Sequence, residues 1–376
     1  MFKVFFLPTA NAGVVWHRML MYFRYMSKLP DTNMIMDKFY PESFGIYPWQ
    51  HPENHNSAFL LKLQDIAAQA HVVVIQYVLT DYALAVVQGL KQLFPKIAFF
   101  TEIDDYCFEL NPSHPVAPFY QPGRESPMVI QEHLKISDGV IVSTPYLKKL
   151  YSDLNKNIFV MPNGIDFDTW DNLKDKKHPK GKIKIGWSGA ASHNDDIKFI
   201  EKVVYQILDK YKNVEFFFSG GAPEFLVKKH PRLKCSQKWV NIYQYPQMIK
   251  DLKFDIGVAP LLDNNFNRAK SNLRWLEYSA LKIPTVASKV EHFKTTIEDG
   301  KTGFLCYEPE EFFQRLCLLI EDEAKRKEIG NNAYNEIKKN FNVEKLAVNY
   351  RETLKEFHNE FNTNKNKVSA AGSRGK

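Results

Sequence analysis

Cysteine is scarce in this sequence. Cys107, Cys235, Cys306 and Cys317 are its only four, and no two of them form a CxxC pair. Such spacing gives neither a disulfide framework nor a cysteine-based zinc site, which makes a reducing compartment the default. Long apolar runs are missing as well, since nothing approaches the roughly 20 residues of a membrane span. The opening "MFKVFFLPTANAG" has too short an apolar run for the core of a signal peptide and reads as a first strand. A cytoplasmic protein is expected. There is also no dense Lys/Arg stripe. The net charge is +7, yet residues 1–165 hold 13 Lys/Arg against 14 Asp/Glu, a net of −1, which leaves +8 for the rest. Four of those positive charges follow residue 360, in a stretch without acid. That distribution weighs against a dedicated nucleic-acid face. No internal repeat is visible.

What is present fits a globular chain of two domains: 376 residues, 44% hydrophobic and 25% charged. In the first half, apolar runs at 3–8, 72–76, 97–101, 139–143 and 158–161 read as strands. Helical patterns at 14–28, 58–70 and 81–94 fall among them. Strands apolar on both faces with helices between them imply a parallel sheet of βαβ units. The polar, turn-rich stretch "MPNGIDFDTWDNLKDKKHPKGK" then breaks the pattern, so the domain boundary is placed at 162–180. A second α/β series follows at 183–187, 214–219, 240–243, 255–260 and 284–288. The reading is therefore an N-terminal Rossmann-like domain over 1–165, a C-terminal one over 166–340 and a closing helix over 341–361. A disordered tail over 362–376 completes it. Ligands of such sheets lie at the carboxyl ends of the strands, here in a cleft between the domains.

The stretch "AKSNLRWLEYSALKIPTVAS" (269–288) carries the most chemistry. As a helix over 270–281, at ~100° per residue, it aligns Lys270, Arg274 and Glu277 on one face. Two cations beginning at a helix N-terminus near Ser271 and Asn272 suit a diphosphate, and a carboxylate further along suits ribose hydroxyls. The plainer reading is an amphipathic helix with an Arg–Glu pair on a solvated face.

This stretch resembles the nucleotide-binding segment of retaining GT-B glycosyltransferases, the glycogen-synthase-like family 4 group. Other pieces match in order: "VMPNGID" (160–166), "IKIGWSGAASHNDDI" (183–197), "FDIGVAPL" (254–261), "ALKIPTVAS" (280–288) and "IEDGKTGFL" (297–305). The resemblance implies an α/β GT-B fold and a nucleotide-diphosphate sugar as co-substrate. It implies no cofactor and no metal. One departure stands out. The family often carries two glutamates separated by seven residues; Glu277 matches the second, but Ala269 occupies the place of the first. The phosphate loop also lacks the family's usual basic residues, which leaves Lys270 and Arg274 as the main cationic contacts.

On the donor side the resemblance adds Ser188, Gly189 and His193 from the phosphate loop, and Gly13 from the loop after the first strand. The plainer reading of the former is a βα turn with a capped helix. His17 and Arg18 could touch an acceptor or phosphate, or simply form a solvated first turn. Glu102, Asp104 and Asp105 follow an apolar strand, where cleft residues collect, and could orient or deprotonate an acceptor hydroxyl. Asp104 or Asp105 would take that catalytic role beside Lys270 and Arg274, in place of the histidine that many relatives carry. In the resembled domain the stretch "VNIYQYPQM" often holds the base, where Tyr243 or Tyr245 could serve, though packing is the plainer reading of both; His114 and His133 receive no place. The expected activity is transfer of a sugar to a hydroxyl, on a glycan or polysaccharide precursor. Two alternatives stand beside it. "VVWHRMLMYFRYM", "EIDD" and the SHxxD loop resemble glycosyltransferases encoded by bacteriophages, which makes a hydroxylated base of nucleic acid an alternative acceptor, in the host cytoplasm. The missing first glutamate motivates the other, a non-catalytic nucleotide-sugar-binding protein.

Overall fold

The computed structural model describes residues 1–11, 13–36, 45–46, 57–112, 114–176, 181–220, 230–237 and 240–373. The chain divides into two compact units. One comprises Met1–Phe108, Phe119–Pro162 and Val343–Lys376; the other comprises Glu109–Pro118 and Asn163–Asn342. Of the 162–180 stretch read as a boundary, residues 177–180 lie outside the described set.

The first unit is built on strands β1 (Phe2–Leu7), β3 (Thr32–Ile35), β5 (Val72–Gln76), β6 (Ala98–Ile103), β7 (Gly139–Val142) and β8 (Ile158–Val160). A two-stranded antiparallel ribbon, β2 (Ala10–Asn11) with β4 (Gly45–Ile46), lies outside this sheet. The six strands run in the order β3-β1-β5-β6-β7-β8, every neighbouring pair parallel. Burial explains the apolar runs, because every residue of β5, β6 and β7 is buried. Helix Asp81–Leu93 shows how the covering layer forms. Thr80 caps it by accepting from the amide of Ala83, and Ala83, Leu84, Val87 and Leu90 recur on its buried face.

The second unit repeats the plan. Its strands are β9 (Ile183–Gly189), β10 (Val214–Gly220), β11 (Leu233–Ser236), β12 (Ile256–Ala259), β13 (Thr285–Ser288) and β14 (Phe304–Cys306). They run β11-β10-β9-β12-β13-β14, again all parallel. Strand order reverses between β9 and β12, so the carboxyl ends of these two define the place where a doubly wound sheet takes its ligand.

Three expectations change here. Residues 240–243 form no strand; the edge strand is Leu233–Ser236, whose half-exposed sequence LKCS has no apolar run to announce it. The helix expected over 270–281 begins only at Leu273 and runs to Ala280, after a separate short helix Asn265–Ala269 and an extended residue at Lys270. And the last helix runs Val343–Ser373, through most of the segment read as a tail. Its anchors are aromatic and belong to the first unit: Tyr350 meets Tyr22 edge-on at 4.9 Å and Phe357 meets Phe100 edge-on at 4.8 Å. Beyond residue 361, Lys365 donates to the carbonyl of Pro95. Among the described residues, no helix is long and apolar enough to cross a membrane.

Candidate active site

The site grows from the carboxyl end of β9. Gly189, its last residue, has no room for a side chain. A Cβ there would lie 2.5 Å from Nη2 of Arg274 and 2.7 Å from the indole of Trp187. Glycine therefore lets the guanidinium of Arg274 lie across the strand end, stacked over Trp187 at 4.9 Å. Gly257 on β12 plays a matching part, since the ring of Tyr278 occupies the space its Cβ would need. That seats the Tyr278 hydroxyl to accept from the amide of Ser188 at 3.2 Å. Burial opposes the charge of Arg274, but Tyr278, Tyr245 and Glu277 around it raise its pKa.

Glu277 lies one turn beyond Arg274, only 4% exposed, and its Oε2 accepts from the Tyr245 hydroxyl at 3.1 Å. Burial lifts its carboxyl to about 7, against the pull of Arg274 and Tyr245. Tyr245, read from sequence as packing, is thus a partner of Glu277, whereas Tyr243 is exposed. Only the fold reveals this, since the two residues are 32 positions apart.

The break at Lys270 has a physical cause. Asn264 caps the first short helix through the amide of Asn267, and the Asn267 side chain donates to Asp196 at 2.8 Å and to the carbonyl of Leu262 at 2.9 Å. These bonds fix the helix, and the chain leaves it extended at Lys270 before Asn272 starts the next. Lys270 therefore does not share a helix face with Arg274 and Glu277. Its ammonium lies 4.2 Å from the ring centre of Phe266 and acts electrostatically on His193, as Arg274 does. Ser271 accepts from the buried Asn163 at 2.8 Å, and Asn272 is itself buried. His193 stands edge-on to Trp187 at 6.0 Å, with Asp196 on its Nδ1. Ser188, Gly189, His193, Lys270, Arg274 and Glu277 thus gather at the carboxyl end of β9. His292, which sequence reasoning missed, is buried nearby, within electrostatic reach of Lys270 and His193.

The remaining candidates belong to the first unit. Gly13 opens its first helix, which widens into a π-turn at Trp16–Leu20. His17 is buried, and that burial with Arg18 beside it lowers its pKa to about 4. Arg18 and Glu102 are fully buried and paired at 2.6 Å, and Arg18 also donates to the carbonyl of Met161 at 2.6 Å. Such a buried pair braces the fold, unlike the solvated first turn that was the plainer expectation for Arg18. Asp104 and Asp105 are partly exposed just past β6, with their carbonyls accepting from Ser143 at 3.2 Å and Tyr151 at 2.8 Å. His133 is a buried core histidine taking the amide of Val78 at 3.3 Å, and His114 rests edge-on against Phe266 in the second unit.

Comparison with known proteins narrows the possibilities. Residues 182–322 match the family model Glycosyl transferases group 1. The matched residues lie within the second unit. Trehalose synthase of Thermococcus litoralis is 35% identical over 234 residues, which are 60% of this chain and 50% of that protein. The chain thus spans about half the length of the curated relatives it matches. Among solved structures, sucrose-phosphate synthase from Thermosynechococcus elongatus superposes with a TM-score of 0.63 at 13% identity, covering 95% of this chain and 99% of that one. HepE of Anabaena, in complex with UDP-glucose, gives 0.63 at 14% identity over 95% and 100%. These likenesses and the two parallel six-stranded sheets define an α/β GT-B fold.

Proposed function

We propose that this chain is a retaining, metal-independent glycosyltransferase that moves a sugar from a nucleotide-diphosphate donor to a carbohydrate hydroxyl. The observation that carries the reading is Arg274, laid across Gly189 and Trp187 at the strand-order switch of a glycosyltransferase domain, with Glu277 one turn on. A departing diphosphate needs fixed positive charge where its own charge develops, and Arg274, Lys270 and the Ser188–Gly189 backbone supply it. Glu277 accepts the ribose hydroxyls. With that carboxylate engaged on the ribose, we assign attack from the face of the leaving group, the acceptor proton passing to a diphosphate oxygen. Asp104 and Asp105 are our acceptor-side carboxylates, with His17 beside the acceptor and Gly13 on the donor side. The names of the similar proteins, trehalose synthase and sucrose-phosphate synthase, support a carbohydrate acceptor, and the UDP-glucose complex makes that donor the first to try.

A thermal-shift screen of nucleotides and nucleotide sugars, with and without a chelator, tests the reading. One nucleoside diphosphate should raise the melting temperature in both conditions, and Lys270→Ala should remove the shift. NMR of the product should show the donor's anomeric configuration. A folded protein that answers to no nucleotide, or only to a metal-loaded one, sinks it.

Glu277 adds a pH test. Its carboxyl is half-protonated near pH 7, and only the ionised form accepts with full charge at both oxygens, whereas protonation turns one oxygen into a donor. Above about 7 the wild type should bind donor roughly tenfold more tightly than Glu277→Gln. As pH falls through that value the advantage should shrink, since protonation makes the two side chains alike. A constant ratio from acid to alkaline pH would exclude the role.

A further inference from the structure

Asp196 has no part in the donor site as drawn so far, yet it is the most fully bonded carboxylate there. It is 1% exposed; Oδ1 accepts from the amide of Leu262 at 2.9 Å and from Asn267 at 2.8 Å, and Oδ2 meets Nδ1 of His193 at 2.9 Å. A carboxylate only accepts, so Nδ1 of His193 must carry its proton. In the neutral ring the lone pair is then on Nε2. The groups that act on this imidazole come from every element around it: Asp196 from its own helix, Lys270 from the helix break, Arg274 from Leu273–Ala280 and His292 from Glu291–Lys294. Burial first, and then the two cations, hold its pKa down at about 4 despite the bond to Asp196, so the ring is neutral near pH 7. A lone pair aimed at an anion repels it. A diphosphate beside Lys270 and Arg274 would offset the cations that depress the ring and would favour its charged form.

We propose that Asp196 is a positioning residue that fixes the tautomer of His193, so that Nε2 takes up a proton from solvent when a nucleoside diphosphate binds. The protonated ring donates from Nε2 to a phosphate oxygen and from Nδ1 to Asp196. One proton moves from water to imidazole, and no covalent bond in the ligand changes. The inference rests on the donor-site reading of Arg274 and Lys270, and it turns diphosphate capture at this site into a proton-linked step.

Calorimetric titration tests it, using whichever of UDP, ADP or GDP gives a thermal shift, in two buffers of different ionisation enthalpy slightly below neutral pH. Wild type should take up about half a proton or more beyond His193→Gln. The difference cancels the titration of the ligand's own phosphates and of Glu277, which both proteins share. Asp196→Asn is the sharper variant. The amides of Leu262 and Asn267 require an oxygen, so the new NH2 faces His193 and imposes the opposite tautomer, with Nε2 already protonated in the neutral ring. This variant should keep its melting temperature within a few degrees, bind several-fold more weakly and take up almost no proton. Equal uptake in wild type and His193→Gln overturns the proposal and leaves the donor site standing. Wild-type uptake in Asp196→Asn overturns the positioning role. No binding of any of the three nucleotides to folded protein overturns the donor site and this inference together.

Discussion

Arg274→Ala should lower kcat/KM for the donor by about 10²–10³-fold, the loss typical when a preorganised group facing transition-state charge is removed. The geometry explains why the effect is large. The guanidinium is held over Trp187 and against a glycine that leaves it room, so its orientation is set before any ligand arrives. Nη1 is buried with no hydrogen-bond partner among the described residues, so the fork is not consumed by a structural bond at that atom. Arg274→Lys should recover only part of the loss. Lysine keeps the charge but has neither the planar stack nor two parallel donors. Steady-state kinetics with the donor found by thermal shift, alongside melting temperatures, would show this. If both variants lose stability in step with activity, Arg274 is a packing residue. If Lys restores full activity, only its charge matters, and the stacking argument fails.

The parts of this site differ in how visible they were in the sequence. The sheets were legible because strands such as Val72–Gln76 are buried along their whole length and must be continuously apolar. Gly189, Arg274 and Glu277 were legible through the order of the motifs. Their mutual arrangement was not, because Gly189 and Arg274 meet only once β9 and the helix Leu273–Ala280 are folded. The break at Lys270 was hidden for the same reason. The residue pattern reads as a helix from Lys270, and the bond that fixes the short helix before it, Asn267 to Asp196, spans 71 positions. The long last helix was masked by polarity. A sequence rich in Asn and Lys reads as disordered until Lys365 meets the carbonyl of Pro95, and that pairing has no local signature.

Arg18 and Glu102 test the opposite kind of role. Both are fully buried, and their 2.6 Å contact joins the first helix of the chain to the end of β6. Arg18 also holds the carbonyl of Met161, while Tyr22, one helical turn on, donates to the carbonyl of Pro162 and packs edge-on against Tyr350. The pair thus ties together the first helix, β6, the segment after β8 and the last helix. Removing one member strands a charge in the interior. Arg18→Ala or Glu102→Ala should each cost about 3–5 kcal/mol, because the partner loses its buried counter-charge. At about 2–4 °C per kcal/mol, the melting temperature should fall by roughly 10 °C. The double variant Arg18→Met with Glu102→Leu should be more stable than either single one, since no charge is left behind and the volume is filled. An acceptor-binding role predicts a different pattern: near-normal stability, lost activity and no rescue in the double variant. Chemical denaturation of the three variants distinguishes the two, and a stable but inactive Arg18→Ala would move this arginine back into the site.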